Sequence, residues 1–237
     1  MDERKEDPAE FWRSEIQGPE SRKKWYAKAT EYWDAREADL NGILGGFPET
    51  DKPDVRDSER FFDALRQASP PLQFGTALDA GAGIGRLAES LLLPRFSHID
   101  LVEPCERFLE TARKRLADPR AERFVCSSLQ SFEPEAQRYD CIWNQGVLLY
   151  LPDDDLLKWL HGCRRALTSS GVVCVKENIV LEGNWLVDWE DNSVARTDAQ
   201  YKEIFTRAGL RLIHEAKQTN WPKGLLPVKM YALRPAL

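Results

Sequence analysis

The chain has 237 residues, 33 Lys and Arg against 39 Asp and Glu for a net charge of −6, and 42% hydrophobic and 30% charged residues. This composition excludes the collagenous, disulfide-scaffold and disordered classes. With a pI near 5.3 it also argues against a nucleic-acid coat, whose phosphate contacts need a basic face.

No apolar run approaches the roughly 20 residues that span a bilayer, and the opening MDERKEDPAE lacks a signal peptide's apolar stretch. A soluble chain is expected, cytoplasmic or alternatively nuclear, with neither nucleic acid nor membrane as a partner. Cys105, Cys126, Cys141, Cys163 and Cys174 are widely spaced and form no Cys-x-x-Cys pair, so reduced thiols are expected and no metal site.

Residues 1 to about 19 are charged, carry Pro8 and Pro19 and show no period, which predicts a flexible arm. Between Glu20 and Asp39, Trp25, Ala29, Tyr32 and Trp33 recur at four- and three-residue spacing, as on one side of a helix. The glycine-rich segment Asn41 to Pro48 ends it. A second helix is predicted from Asp57 or Ser58, with Phe61, Phe62 and Leu65 facing inward. The N-terminal helices thus occupy about 20–69, ahead of a core at 70–237.

From Phe74 the texture changes. Thr76 to Asp79, Ile99 to Val102, Arg123 to Cys126, Tyr139 to Trp143 and Val172 to Val175 have the length and composition of strands. Helical periods separate them at 105–117, at 153–167 with Asp153 as N-cap, and after Asp198, with Gly209 as terminator. Such alternation implies an α/β fold with a parallel sheet covered on both faces. Leu210 to Ile213 and Val228 to Leu233 have no long helix between them and are expected to pair antiparallel at an edge.

The run Asp79-Ala-Gly-Ala-Gly-Ile-Gly-Arg86 follows the first core strand and opens a helix. Glycines there let backbone N–H groups approach a ligand that a Cβ would hold away. Alone, the turn suits nicotinamide cofactors, flavins and S-adenosylmethionine alike, or a merely tight connection. Glu103 ends the next strand 18 residues after Gly85, near the spacing at which a carboxylate takes a ribose diol. Gly81, Gly83 and Gly85, with Asp79 before them, fit a cofactor bearing a carboxylate and a sulfonium, and Arg86 is a two-pronged donor for that carboxylate.

Together with that turn, Gly45-Gly46-Phe47, Leu101-Val-Glu-Pro104, Leu129-Gln130, Ile142-Trp-Asn-Gln145, Val175-Lys-Glu-Asn178 and Asp191-Asn-Ser-Val194 closely resemble the eukaryotic protein α-N-terminal methyltransferases. The resemblance runs from about Lys24 to the C-terminus. It implies a class I methyltransferase, a Rossmann-like seven-stranded sheet with an N-terminal helical extension and a hairpin inserted at about 179–197. It implies S-adenosyl-L-methionine as cofactor and S-adenosyl-L-homocysteine as product, held by Gly81, Arg86, Glu103, Leu129, Gln130 and Gln145. The implied substrate is the α-amine of a peptide or protein N-terminus, and the implied enzyme is a monomer.

On the amine side, the resemblance points to Asp191 as the carboxylate that orients the amine and accepts its proton, and to Asn178, after the fifth core strand, as a hydrogen-bonder of the peptide backbone. Tyr32, Trp33, Leu44 and Ser193 match substrate-lining positions, and Asp188 belongs to the same acidic stretch. Five acids, Glu182, Asp188, Glu190, Asp191 and Asp198, against the single base Arg196, suit a cationic peptide. Two departures matter. Gly146 stands where the family has tryptophan, which widens the pocket, and Tyr150 stands where it has a histidine proposed to assist proton removal. Leu226 also replaces a tyrosine. His98, His161 and His214 all lie elsewhere and read as structural.

Two acceptors follow: a protein N-terminus of the Xaa-Pro-Lys type, or a bulkier modified or cyclic ribosomally derived peptide of the kind related fungal enzymes N-methylate, toward which Gly146 and Tyr150 tilt the reading. The alternative of another class is a cofactor-binding fold that has lost methyl transfer and serves as a partner-binding module or catalyses other chemistry.

Overall fold

The computed structural model describes residues 1–4, 7–181 and 185–236. The first of these correct an expectation. Where a flexible arm is predicted, β1 (Asp2–Arg4) and α1 (Pro8–Glu15) pack onto the rest of the chain. The Asp7 side chain caps α1 by accepting the Ala9 N–H, and Pro8 takes the first turn, where a missing N–H costs nothing. Phe11 and Trp12 are 3% and 8% exposed because Trp25 and Trp185, distant in sequence, close over them.

Helix α2 (Pro19–Asp34) buries Trp25 and Ala29 and leaves Tyr32 and Trp33 half-buried. The single turn α3 (Leu40–Ile43), capped by Asp39, carries the chain into the glycine segment. Helix α4 (Asp51–Leu65) begins six residues before the predicted Asp57, because Pro53 is harmless in a first turn. It buries Phe61, Phe62 and Leu65 as expected, and also Asp54, Asp57 and Ser58.

Five parallel strands follow: β2 (Thr76–Ala80), β3 (His98–Glu103), β4 (Ala121–Cys126), β5 (Tyr139–Gln145) and β6 (Leu167–Val180). Then come the hairpin β7 (Trp185–Asp188) and β8 (Ser193–Thr197), and β9 (Leu210–Lys217) and β10 (Val228–Pro235). Among the described residues the main sheet runs β9-β10-β6-β5-β2-β3-β4. As expected, β9 and β10 are antiparallel, and β10 also pairs antiparallel with β6. One face is covered by α4, the π-helical turn Ala88–Leu92 and α5 (Glu106–Arg115), the other by α6 (Asp153–Ala166) and α7 (Asp198–Arg207).

Two predicted caps are corrected. Pro152 precedes α6 while Asp153, inside the first turn, accepts Arg196 at 2.6 Å. Thr197 caps α7 in a reciprocal box with Gln200, and Asp198 instead receives Lys229 and Tyr231, each at 2.8 Å. Gly209 does follow α7 with φ +69.

The last two residues of β6, Ile179 and Val180, pair with β8, so the β7–β8 hairpin continues the sheet beyond the end of β5, with β1 at its far edge. All five cysteines are free thiols; only Cys126 is exposed. Among the described residues no helix is long and apolar enough to cross a membrane.

Candidate active site

The chain leaves β2 through a turn in which Gly81, Gly83 and Gly85 have φ of +76, +54 and +74. The Gly81 and Ala82 N–H groups donate to the Val102 carbonyl at 2.9 and 3.1 Å, fastening the turn to β3. A Cβ on Gly81 would lie 2.7 Å from Val147 Cγ2, so only glycine fits this left-handed, crowded position. Glu103, at the end of β3, accepts the Gly83 N–H on Oε2 and the Cys105 N–H on Oε1, each at 2.9 Å. Both oxygens keep a second lone pair for a ligand. Burial raises the Glu103 pKa despite these two donors.

A cavity of about 220 Å³ opens on this turn, walled by Gly81, Gly83, Arg86, Glu103, Gln145 and Gly146 and closed by Trp33, Leu44 and Tyr150. A second compartment of about 80 Å³ holds Leu129 and Gln130 against Ala29 of α2, and shares Trp33, Glu103, Val147 and Tyr150 with the first. The six residues expected to hold the cofactor therefore line two adjoining spaces. Of the expected substrate positions, Trp33, Leu44 and Gly146 join them.

Behind the cavity is a buried polar cluster that the sequence does not predict. Asp54, 2% exposed, receives Lys176 Nζ at 2.6 Å on Oδ1 and Arg86 Nη1 at 2.9 Å on Oδ2. Gln145 Nε2 lies 2.9 Å from both oxygens, and Gln145 Oε1 accepts the Trp143 indole N–H at 3.1 Å. Burial alone would push the Asp54 carboxyl up, but the Lys176 and Arg86 charges reverse this and hold it below its usual value. Glu177, the next residue after Lys176, accepts the Val147 and Leu148 N–H groups at 2.9 and 2.8 Å, and burial pushes its pKa up to about 7. Two charged residues directly after the apolar run Val172 to Val175 are the signal in sequence that could have marked this position.

The amine side is built on Tyr150. Its hydroxyl accepts the Trp33 indole N–H at 2.8 Å and donates to Asp191 Oδ2 at 3.0 Å. Asp191 Oδ1 accepts the Ser193 N–H at 3.1 Å, which fixes the hairpin tip. Burial raises the Asp191 pKa, opposed by its bonds to Ser193 and Tyr150. Asp188, paired with Ser193 across the hairpin, accepts the Glu190 N–H, and Glu190 pairs with Arg36.

Other expected members lie apart. Asn178 sits inside β6 opposite Val228, not after the strand, and does not line either compartment. Tyr32 lies under the Arg36 guanidinium at 4.2 Å. Asp198 is tied to Lys202 and Lys229 and leaves the acidic group, while Glu182 is outside the described residues. None of the three histidines lines the cavities; His98 pairs with Glu122 and His214 stacks near Phe61.

The cavity fits S-adenosylmethionine on the chemistry of its walls. A glycine cradle, a buried arginine beside it and a carboxylate with lone pairs to spare match a backbone-cradled chain, a carboxylate and a diol respectively.

Comparison with known proteins agrees. A family model described as AdoMet dependent proline di-methyltransferase matches residues 21–234. Alpha N-terminal protein methyltransferase 1 of Dictyostelium discoideum is 39% identical over 232 residues, covering 94% of this chain and 85% of that protein. N-terminal Xaa-Pro-Lys N-methyltransferase 1 of Danio rerio is 38% identical over 218 residues, covering 91% and 97%. The structure of an S-adenosylmethionine-dependent methyltransferase from Leishmania major superposes with a TM-score of 0.90 at 37% identity, covering 96% of this chain and 91% of that one. The glycine cradle, its acidic and basic partners and these likenesses converge on one assignment: the chain belongs to the AdoMet-dependent proline di-methyltransferase family and is an S-adenosylmethionine-dependent N-methyltransferase.

Proposed function

We propose that the acceptor is the free α-amine of a peptide or protein N-terminus, received where the Trp33–Tyr150 wall meets the Asp191 carboxylate. The observation that carries this reading is the Trp33–Tyr150–Asp191 chain of hydrogen bonds, which ties an acid that lies just outside the lining to two residues of the cavity that the glycine turn also walls. Held by the glycine turn, Arg86 and Glu103, S-adenosylmethionine would supply an electrophilic methyl group on sulfur with a neutral thioether as leaving group.

The chain's own residues have two tasks. The first is to hold the amine lone pair about 3 to 3.5 Å from the methyl carbon and in line with the breaking bond. The second is to take a proton from an ammonium whose ordinary pKa is only about 7.7 to 8.0, so a weak base suffices. Asp191 serves both: Oδ2 orients and accepts, and burial lifts its basicity above that of a solvated carboxylate. Tyr150, whose pKa burial drives further above its ordinary value, stays protonated and acts as a hydrogen-bond donor rather than a base. The names of the Danio rerio and Dictyostelium discoideum relatives both support an amino-terminal acceptor, and that of the Danio rerio relative supports the Xaa-Pro-Lys type.

A second acceptor, a bulkier modified or cyclic peptide, is favoured by Gly146. It lines the cavity, and a Cβ built on it meets nothing within 4 Å, so this wall is open space. Labelled donor offered with a Pro-Lys peptide, its N-acetylated form and a peptide with an aromatic amine at its terminus tests the proposal. Label in the free-amine peptides and none in the acetylated one is expected; label in the acetylated peptide would overturn it.

A further inference from the structure

Asp54 belongs to the N-terminal helix α4, not to the strands and turns that line the donor site, yet it touches two residues of that site. Its Oδ2 holds Arg86, its two oxygens together hold Gln145, and its Oδ1 neutralises Lys176, whose side chain is 0% exposed. Lys176 Nζ also donates to the Asp54 carbonyl and to Ser58 Oγ, both at 2.9 Å, so three of its bonds end on one stretch of α4.

The charges explain what this arrangement does. Without Asp54, the Arg86 guanidinium and the Lys176 ammonium would lose the carboxylate that contacts them both, and burial already lowers the Lys176 pKa. With Asp54, one of the two positive charges is cancelled and Arg86 is held by one nitrogen against the wall. Asp51, a second carboxylate on the same nitrogen at 2.9 Å, has a side chain 26% exposed and lies nearer solvent than Asp54. Both recorded carboxylate contacts of Arg86 fall on Nη1, so the rest of the guanidinium fork is left for an incoming carboxylate. Gln145 is oriented by the same group: its Nε2 is drawn to Asp54 and its Oε1 to Trp143, which settles which end of the amide faces which partner.

We propose that Asp54 is a positioning residue for the methyl donor, fixing Arg86 and Gln145 from behind and thereby making donor affinity depend on the seating of α4. Asp54 acts on the donor half of the site, whichever amine is the acceptor.

The test uses the full chain and titration calorimetry with S-adenosylhomocysteine, on wild type, Asp54→Asn and the double variant Asp54→Asn/Lys176→Met. The double variant removes both charges of the buried pair, so it covers the case in which the single variant unfolds around an unpaired lysine. Both variants are expected to bind the thioether at least about tenfold more weakly, as loss of a charged hydrogen-bond partner implies. The KM for S-adenosylmethionine should rise by a similar factor, with kcat at saturating donor and the peptide KM within about threefold of wild type. The proposal is overturned if either folded variant binds as tightly as wild type or more tightly. It is equally overturned if the double variant recovers wild-type affinity together with its melting temperature, since Asp54 would then only neutralise Lys176.

Discussion

The Tyr150 hydroxyl donates to Asp191 Oδ2 across 3.0 Å, linking the turn after β5 to the tip of the β7–β8 hairpin. The family histidine that Tyr150 replaces would be a base; a buried phenol is not, and the bond therefore lowers the basicity of Asp191 while it aims the carboxylate. Proton acceptance falls to Asp191 in this arrangement.

Asp191→Asn should consequently cut kcat by about a hundredfold or more, the usual scale for a general base, while S-adenosylhomocysteine binds as before. Steady-state kinetics paired with calorimetry separate the two. A large loss of thioether affinity would show that Asp191 supports the donor instead.

Tyr150→Phe removes a donor to Asp191, so the Asp191 pKa, already raised by burial, should rise further. Turnover needs the ionised carboxylate and is lost as pH falls through that pKa. The acidic limb of the pH–rate profile should accordingly move to higher pH, with kcat/KM for peptide about tenfold lower at neutral pH. An unmoved limb would exclude Asp191 as the group that titrates.

Stability should also depend on pH in an unusual direction. Burial pushes the Asp79 and Glu177 pKa values up to about 7, from ordinary values of 3.8 and 4.5. Between those limits the folded chain keeps protons that the unfolded chain has released, so stability declines as pH rises from about 4 to 7. Melting temperatures of the free protein should be lower at pH 7.5 than at pH 5, and Asp79→Asn should shrink that difference. Asp79 Oδ2 has no hydrogen-bond partner among the described residues, so the substitution breaks no bond at that oxygen.

Gly146→Trp should exclude bulky first residues and retain small ones, because it fills the open wall. Gly146 has φ +62, so any side chain there carries about 1 to 2 kcal/mol of strain. Gly146→Ala shares that strain without the bulk and serves as the control. Competition between alanine- and phenylalanine-initiated peptides reads the selectivity; equal discrimination by both variants would assign the effect to the backbone.

What could be read before the structure, and what could not, divides by sequence distance. The strands from Thr76 onward and the Asp79 to Arg86 turn are local patterns, each legible within a few residues. Asp54 is not, since its partner Lys176 lies 122 residues away, and a first-turn acid next to a proline reads as solvated. Phe11 and Trp12 fail to announce a packed helix for the same reason: what buries them comes from α2 and β7. Asp153 and Asp198 look like caps, yet each is consumed by a distant cation, leaving capping to Thr197 in one case and to no side chain in the other.

The pairing of Asp2 with Val187, together with the Trp189 indole N–H on Asp2 Oδ2 at 2.8 Å, has a practical side. A purification handle fused ahead of Met1 would emerge beside the hairpin that bears Asp191, so kinetic work on recombinant protein is best done after the handle has been cleaved.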